Sequence, residues 1–237
     1  MKIKIKRGNS FEEFEFSKAV TLLEALYEIK KNSDATLTFS SGCRSQVCGE
    51  CAVIVNGKHR LACGYKVCDG DEVEPLKNMR VLKDLKVDRA SSLKTLTSAK
   101  AHLIEYKKEV LTPSDEMKSQ IQTDCILCSS CYSACPVYSV NREFLGPFAL
   151  TRVYRYSTDK REAKDKEHID AIQSNSVWDC TLCNECTLAC PKGIDPKGDI
   201  VNLRNIGAKY GYMDPNFANN SFGGFGSGFG FDPNGGF

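Results

Sequence analysis

The amino-acid sequence predicts an α+β chain in two parts, a small strand-rich unit followed by a mostly helical one. Two observations carry this. Residues 2–16 and 52–63 read as strand pairs folded about Gly8-Asn9 and Asn56-Gly57, the pattern of hairpins with tight turns. Beyond about residue 96 these β signals fade and helix-leaning stretches take over. A length of 237 residues with 41% apolar content suits two small domains, each with a modest core.

The elements follow in order. Residues 2–7 alternate charged and apolar side chains, and residues 11–16 (FEEFEF) are rich in aromatics, so they form a first hairpin. At residue 21 the period changes. Leu22, Leu23, Ala25, Leu26 and Ile29 fall on one helical face, and Thr21 with Glu24 makes a capping box, which predicts a helix over 21–31. Strands are expected at 35–39 and 72–76, with the Asn56-Gly57 hairpin between them. Residues 96–122 are polar and helix-leaning, a connector and first helix of the second unit. The segments 148–161 and 168–176 read as helices. Residues 216–237 are Gly/Phe/Asn low complexity with too little aliphatic content for a core, so disorder is expected there, with an aromatic contact arm as the sharper alternative. The expected domains are 1–95, 96–213 and a tail over 214–237.

Composition excludes several function classes. The net charge is +2 with basic and acidic residues interleaved, so no footprint for nucleic acid exists. No run approaches 18 apolar residues, so any membrane attachment has to come through a partner. The opening MKIKIKRG is too short and too alternating for a signal peptide. No Walker loop, G-x-S-x-G or G-x-G-x-x-G after a strand is present, and His59, His102 and His168 are scattered, each expected on the surface. Lys107-Lys108 and Arg152/Arg155 alternate with carboxylates and read as solvated or docking faces.

Thirteen cysteines need a role, and they cluster at 43–68, 125–135 and 180–190. Adjacent C-x-x-C cysteines compete poorly for separate disulfides, so metal ligation fits better. Cys43, Cys48 and Cys51 have the C-x4-C-x2-C spacing of plant-type ferredoxins, in which a distant fourth thiolate completes a [2Fe–2S] site. Cys63, at the end of a hairpin strand, is the expected fourth ligand, with Cys68 the alternative and otherwise a bystander. Zinc is the competing occupant, disfavoured by the four-residue spacing. Gly42 and Gly49 are expected to let backbone approach the sulfides.

The run Cys125, Cys128, Cys131, Cys135, Pro136 has the C-x2-C-x2-C-x3-C-P spacing of bacterial ferredoxins, and Cys180, Cys183, Cys186, Cys190, Pro191 repeats it. In two-cluster ferredoxins the fourth cysteine of each run serves the other run's cluster. Cys190 is therefore expected with Cys125, Cys128 and Cys131 on one [4Fe–4S] cluster, and Cys135 with Cys180, Cys183 and Cys186 on a second.

Roughly residues 1–213 resemble the iron-sulfur subunits of succinate dehydrogenases and fumarate reductases. The resemblance rests on SSGCRSQVCGEC (40–51), NGKHRLAC (56–63), PLKNMRVLKDLKVD (75–88), CxxCxxCxxxCPVY (125–138), GPFAL (146–150) and CPKGIDP (190–196) in that order. It implies an N-terminal plant-type ferredoxin β-grasp domain and an all-α bacterial-ferredoxin-like domain. It also implies an FAD-bearing partner that interconverts succinate and fumarate, a membrane partner, and electrons passing through the three clusters toward the quinone pool.

Two departures stand out. The best-known members lack a cysteine at the position of Cys183 and carry a [3Fe–4S] centre; Cys183 supplies a thiolate for a fourth iron, so a second [4Fe–4S] cluster is expected, with [3Fe–4S] the alternative. Members that pass electrons directly to quinone have a Trp and a His where this chain has Val140 and Thr181, and the only tryptophan is Trp178. The pattern resembles the branch whose membrane partner is a cysteine-rich subunit. The resemblance places the chain at the membrane periphery; because iron-sulfur clusters are normally built in the cytoplasm and no export signal is seen, the cytoplasmic face is the default, with the periplasmic face the alternative if an exported partner carries the folded chain. A soluble ferredoxin-like carrier is the rival reading, and an iron-sulfur redox sensor a more distant one.

Overall fold

The computed structural model describes residues 1–215, and residues 216–237, which hold nearly all of the tail read as disordered, lie outside them. The first hairpin joins β1 (Lys2–Arg7) to β2 (Ser10–Glu15). Alternation in β1 buries Ile3 and Ile5 completely and turns Lys2, Lys4 and Lys6 outward to pair with Glu13, Glu72 and Glu74. α1 (Leu22–Asn32) starts at Thr21, whose hydroxyl accepts the Glu24 N–H while the Glu24 carboxylate accepts the Thr21 N–H. Its stripe Leu22, Leu23, Ala25, Leu26 and Ile29 packs into the same core as the sheet. β3 (Ala52–Val55) and β4 (Lys58–Leu61) turn at Asn56 and Gly57, both with positive φ, 48° and 75°. β5 (Asp71–Glu74) inserts beside β1, giving the order β2-β1-β5-β3-β4 with β1 and β5 parallel and the other neighbours antiparallel.

Residues 35–39 do not form the expected strand. The Asp34 carboxylate accepts the Thr36 N–H at 2.8 Å, and the Asp84 carboxylate accepts the Thr38 N–H at 2.8 Å. Side-chain acceptors have replaced the ladder, and Arg7 ties both aspartates together. A second, small hairpin that the sequence reading did not assign, β6 (Arg80–Lys83) and β7 (Lys86–Asp88), carries Asp84 in its turn.

The helical part contains α2 (Ala90–Ser98), α3 (Pro113–Met117), α4 (Gln120–Thr123), α5 (Ser130–Ala134), α6 (Pro136–Val140), α7 (Pro147–Ser157), α8 (Asp165–Asp170), α9 (Glu185–Leu188) and α10 (Pro196–Lys209). The segment 96–122, read as a connector and first helix, holds the end of α2, then a connector, then α3 and most of α4. Residues 99–112 run without helix, because the Glu162 carboxylate accepts the N–H groups of Ile104 and Glu105, and Thr112-Pro113 restarts the chain at a capped helix. The helix read at 168–176 ends at Asp170 and gives way to turns. α10 was not anticipated, although Asp195 caps it and Pro196 occupies its first turn. α7 and α10 pack together around Phe148, Leu150, Val153, Ile200 and Leu203. The two cores meet at one cysteine run: Cys128 belongs to the sheet core and Cys131 to the helix core.

Candidate metal centres

In the loop after residue 42, Arg44 and Gln46 adopt left-handed φ of 60° and 58°. The alternation of backbone hand turns successive N–H groups inward, a nest of the kind that holds anions. Ser45, Val47 and Cys48 each donate N–H to Cys43 Sγ at 3.3 Å, Gln46 donates to Cys63 Sγ at 3.3 Å, and Cys43 donates to Cys48 Sγ at 3.3 Å. The N–H groups of Ser45 and Val47 bring the exposed Cys43 thiol down to a pKa of about 7. Cys51 is buried, and burial pushes its thiol up to about 12. Cys63 thus faces the same nest as Cys43, whereas the Cys68 thiol turns to the Lys66 carbonyl at 3.7 Å.

A Cβ on Gly42 would lie 2.8 Å from Cys48 Sγ, so its absence does admit a sulfur. Gly49 also borders a second cysteine run. With φ at +73°, it abuts the next site, and a Cβ there would lie 2.7 Å from Cys128 Cβ and 2.9 Å from the Ile126 carbonyl oxygen.

The two later runs repeat one backbone conformation. Leu127 and Ser129 follow Cys125, and Leu182 and Asn184 follow Cys180, at matching positions with φ of 53°, 66°, 55° and 72°. Each left-handed residue costs roughly 1 kcal/mol, which a purely structural loop would avoid. Short helices α5 and α9 then carry Cys131 and Cys186. One cavity is lined by Cys125, Cys128, Cys131 and Cys190, with Phe148 and Ile194 among its apolar walls. Another is lined by Cys135, Cys180, Cys183 and Cys186, with Phe144 and Ile200. In each, the fourth cysteine of one run faces the first three of the other.

Burial pushes the Cys125 thiol to about 11 and the Cys186 thiol to about 12, and holds Cys131 well above its ordinary value. Such thiols stay protonated at neutral pH until a cationic core displaces the proton. Neither cavity is lined by a carboxylate or imidazole, so the only strong ligands are soft thiolates, which fits iron-sulfur ligation. Among the described residues no group of three or more His, Cys, Asp or Glu side chains is placed to hold a single metal ion.

Several supporting residues carry no local sequence signal. Asn78 donates its Nδ2 to the carbonyls of Tyr132, Ser133 and Cys135 at 3.1, 3.1 and 3.2 Å, satisfying the end of α5. Arg89 donates to the Gly49 carbonyl at 3.3 Å and pairs with Glu50, so it ties the loop to α2. Arg204 donates to the carbonyls of Val177 and Cys180, both at 2.7 Å, with its guanidinium 5.5 Å from the Trp178 ring centroid.

The histidine expectation holds only for His102, which is exposed. His59 is half-buried, hydrogen-bonded to Ser133 Oγ at 2.9 Å, and its pKa falls to about 4 through burial and then the charges of Lys77 and Arg60. His168 is fully buried, set between the Lys100 carbonyl and the Glu162 carboxylate at 2.9 Å each. Burial opposes ionisation of Glu162, yet the Ile104 N–H and the His168 ring outweigh it and hold that carboxyl near 2. This pair anchors the irregular connector and lies apart from the thiols.

Residues 3–94 match the 2Fe-2S iron-sulfur cluster binding domain family, and residues 121–194 match the 4Fe-4S dicluster domain family. The 8-methylmenaquinol:fumarate reductase iron-sulfur subunit of Wolinella succinogenes is 38% identical over 81% of this chain and 66% of its own length. An uncharacterized iron-sulfur protein of Methanocaldococcus jannaschii is 37% identical over 91% of this chain, which spans only 45% of it. The chain therefore spans about half to two thirds of these two relatives. The fumarate reductase iron-sulfur subunit of Mycobacterium tuberculosis is 34% identical over 87% of this chain and 89% of its own length. A chain of the Mycobacterium smegmatis Sdh1 complex in the apo form superposes with a TM-score of 0.78 at 19% identity, covering 90% of this chain and 97% of that one, which establishes a common fold. With both cluster-binding domains present and the Mycobacterium tuberculosis subunit matched over nearly its whole length, this chain belongs to the family of succinate dehydrogenase and fumarate reductase iron-sulfur subunits, and its cofactors are [2Fe–2S] and [4Fe–4S] clusters.

Proposed function

We propose that the chain is the electron-relay subunit of a membrane-associated complex that interconverts succinate and fumarate. The observation that carries this reading is the pair of four-thiol cavities with exchanged fourth cysteines, set next to the N–H-lined loop through the Gly49–Cys128 approach. In this reading the N-terminal unit is a plant-type ferredoxin β-grasp, supported by the β2-β1-β5-β3-β4 sheet, and the second unit is bacterial-ferredoxin-like.

Cys43, Cys48, Cys51 and Cys63 hold the [2Fe–2S] cluster. Cys125, Cys128, Cys131 and Cys190 hold one [4Fe–4S] cluster, and Cys135, Cys180, Cys183 and Cys186 a second, with Cys183, although exposed, supported by its place in the cavity wall. Bound there, the clusters supply one-electron chemistry at potentials set by ligand charge, hydrogen bonds to sulfur and solvent access. The chain's own residues set those conditions. The nest at Cys43 donates hydrogen bonds to sulfur, and Phe148 and Phe144 exclude water from the two cavities. Arg204 fixes the backbone at Cys180.

The partners in this reading are an FAD-containing flavoprotein, which carries the dicarboxylate site, and a cysteine-rich membrane subunit that connects the chain to quinone. The Wolinella relative's name supports quinol and fumarate as the couple. Among the described residues no helix is long and apolar enough to cross a membrane; in this reading the chain sits peripherally on its membrane partner, on the cytoplasmic face, where iron-sulfur clusters are normally built. Anaerobic purification of the tagged chain from its native host tests the reading. A flavoprotein should copurify and membranes should catalyse benzyl viologen-linked fumarate reduction; a chain recovered alone and monomeric, with that activity unchanged on its deletion, would point to a free carrier instead.

A further inference from the structure

α10 brings a carboxylate into the helical core in its first turn. Asp199 is 3% exposed, its Oδ1 accepts the Gln122 Nε2–H at 2.8 Å, and its Oδ2 has no partner. Gln122 Oε1 and Thr151 Oγ1 are also buried and unpartnered, although the Thr151 hydroxyl lies against the carboxylate. Buried polar atoms without full partners are costly, so a group of them is not a neutral feature of a core.

The surroundings connect this group to one thiol cage. Thr151 lines the cavity of Cys125, Cys128, Cys131 and Cys190, and the Gln122 carbonyl accepts the Cys125 N–H at 3.3 Å. Burial raises the Asp199 carboxyl to about 6, with Asp195 adding to the rise and Gln122 and Thr151 opposing it. The titratable groups that face it are Asp195, the cap of its own helix, and Tyr154 on α7; α4 presents the neutral Gln122, and α8 and α9 present none that shifts it.

We propose that Asp199 is a proton-binding site coupled to the cage of Cys125, Cys128, Cys131 and Cys190, so that arrival of an electron there draws a proton from water onto the carboxylate. The inference rests on the ligand set given above. One electron comes from the redox partner and one proton from solvent. The proton forms an O–H bond at Oδ2, the oxygen without a partner, and that hydroxyl donates to Thr151 Oγ1 while Oδ1 keeps the Gln122 hydrogen bond. Reoxidation releases both, so the negative charge added by the electron is compensated for as long as it stays.

The test is a potentiometric titration of the intact complex between pH 5.5 and 9, followed by low-temperature EPR. The midpoint of this one cluster should fall with pH, approaching a tenfold change in equilibrium constant per unit, or 59 mV for one electron, while the other two stay flat. Asp199→Asn should abolish the slope with iron content and line shape retained, and Asp199→Glu should keep it. A flat wild-type profile, or an unchanged slope in Asp199→Asn, overturns the proposal. Should the Asn variant fail to assemble, reduced-minus-oxidised infrared spectra of the wild type decide. A carboxylic C=O band that shifts in D2O is expected on reduction, and its absence overturns the assignment. Failure of the ligand set would look different, with Cys190→Ser leaving this EPR signal in place.

Discussion

Cys43 in the N-terminal loop receives three backbone N–H groups at 3.3 Å and has its thiol near pKa 7, while Cys125 and Cys186 in the helical part are pushed by burial to about 11 and 12. In the helical part Cys135 and Cys180 accept N–H from Tyr138 at 3.4 Å and Leu182 at 3.5 Å, a sparser supply. The loop stabilises thiolate charge at Cys43 before any metal arrives, although its buried Cys51 is pushed up to about 12 like the thiols of the cages. The cages leave that task to the metal and contribute a dry, shaped space instead. The same ligand atom is thus prepared in two ways, and the difference follows from where the fold can aim backbone N–H groups.

The largest expected effect comes from breaking the exchange between the cages. Cys190→Ser should remove the cluster shared with Cys125, Cys128 and Cys131, about four irons, and loosen the helical unit while the loop site survives. Iron analysis with EPR checks this, and loss of the cluster assigned to Cys180 instead would refute the exchanged arrangement. A smaller change is expected at the exposed edge of the other cage. Cys183→Ser should cost about one iron and produce the EPR signal of an oxidised three-iron centre at higher potential, with the other two clusters intact. Unchanged spectra would remove Cys183 from the ligand set.

The comparison of thiols can be read directly in chelator-stripped protein. At pH 7.5 iodoacetamide should alkylate Cys43 at least roughly a hundredfold faster than Cys131, because only the thiolate reacts and only Cys43 is both exposed and lowered. As pH falls below 7, Cys43 should slow about tenfold per unit as it gains its proton while keeping its lead over Cys131, and above 7 that lead should narrow. Peptide mapping by mass spectrometry that finds equal rates would contradict the role given to the nest. Gly49→Ala should be milder still. A left-handed alanine against Cys128 should cost about 1–3 kcal/mol, read as an earlier thermal transition with iron content retained. The smallest effect is expected at the scaffold, where Thr21→Ala removes the α1 cap for about 1 kcal/mol and should leave every EPR signal unaltered.

Much of this arrangement was legible in residue spacing. The three cysteine groups, the Thr21/Glu24 capping box and the Asn56-Gly57 hairpin are local patterns, and each appears where the spacing puts it. What spacing did not carry was long-range. Residues 35–39 look like a strand, but Asp84, 46 positions away from Thr38, takes a backbone N–H that a ladder would have used. Asn78 closes α5 across 54 residues, from Asn78 to Tyr132, and His168 reaches Lys100 across 68, contacts with no periodic signature. Gly49 lies between Cys48 and Cys51 in sequence, and spacing shows only those cysteines beside it. Its actual neighbour, Cys128, becomes visible only once the two units are packed.

Mössbauer spectroscopy of iron-57-enriched protein prepared without oxygen tests the central claim most directly, that twelve of the thirteen cysteines hold three clusters. The expected spectrum contains about ten irons per chain, about two as [2Fe–2S] and about eight as cubanes. Zinc in place of iron, or a spectrum with only one kind of cluster at far lower iron content, would contradict it.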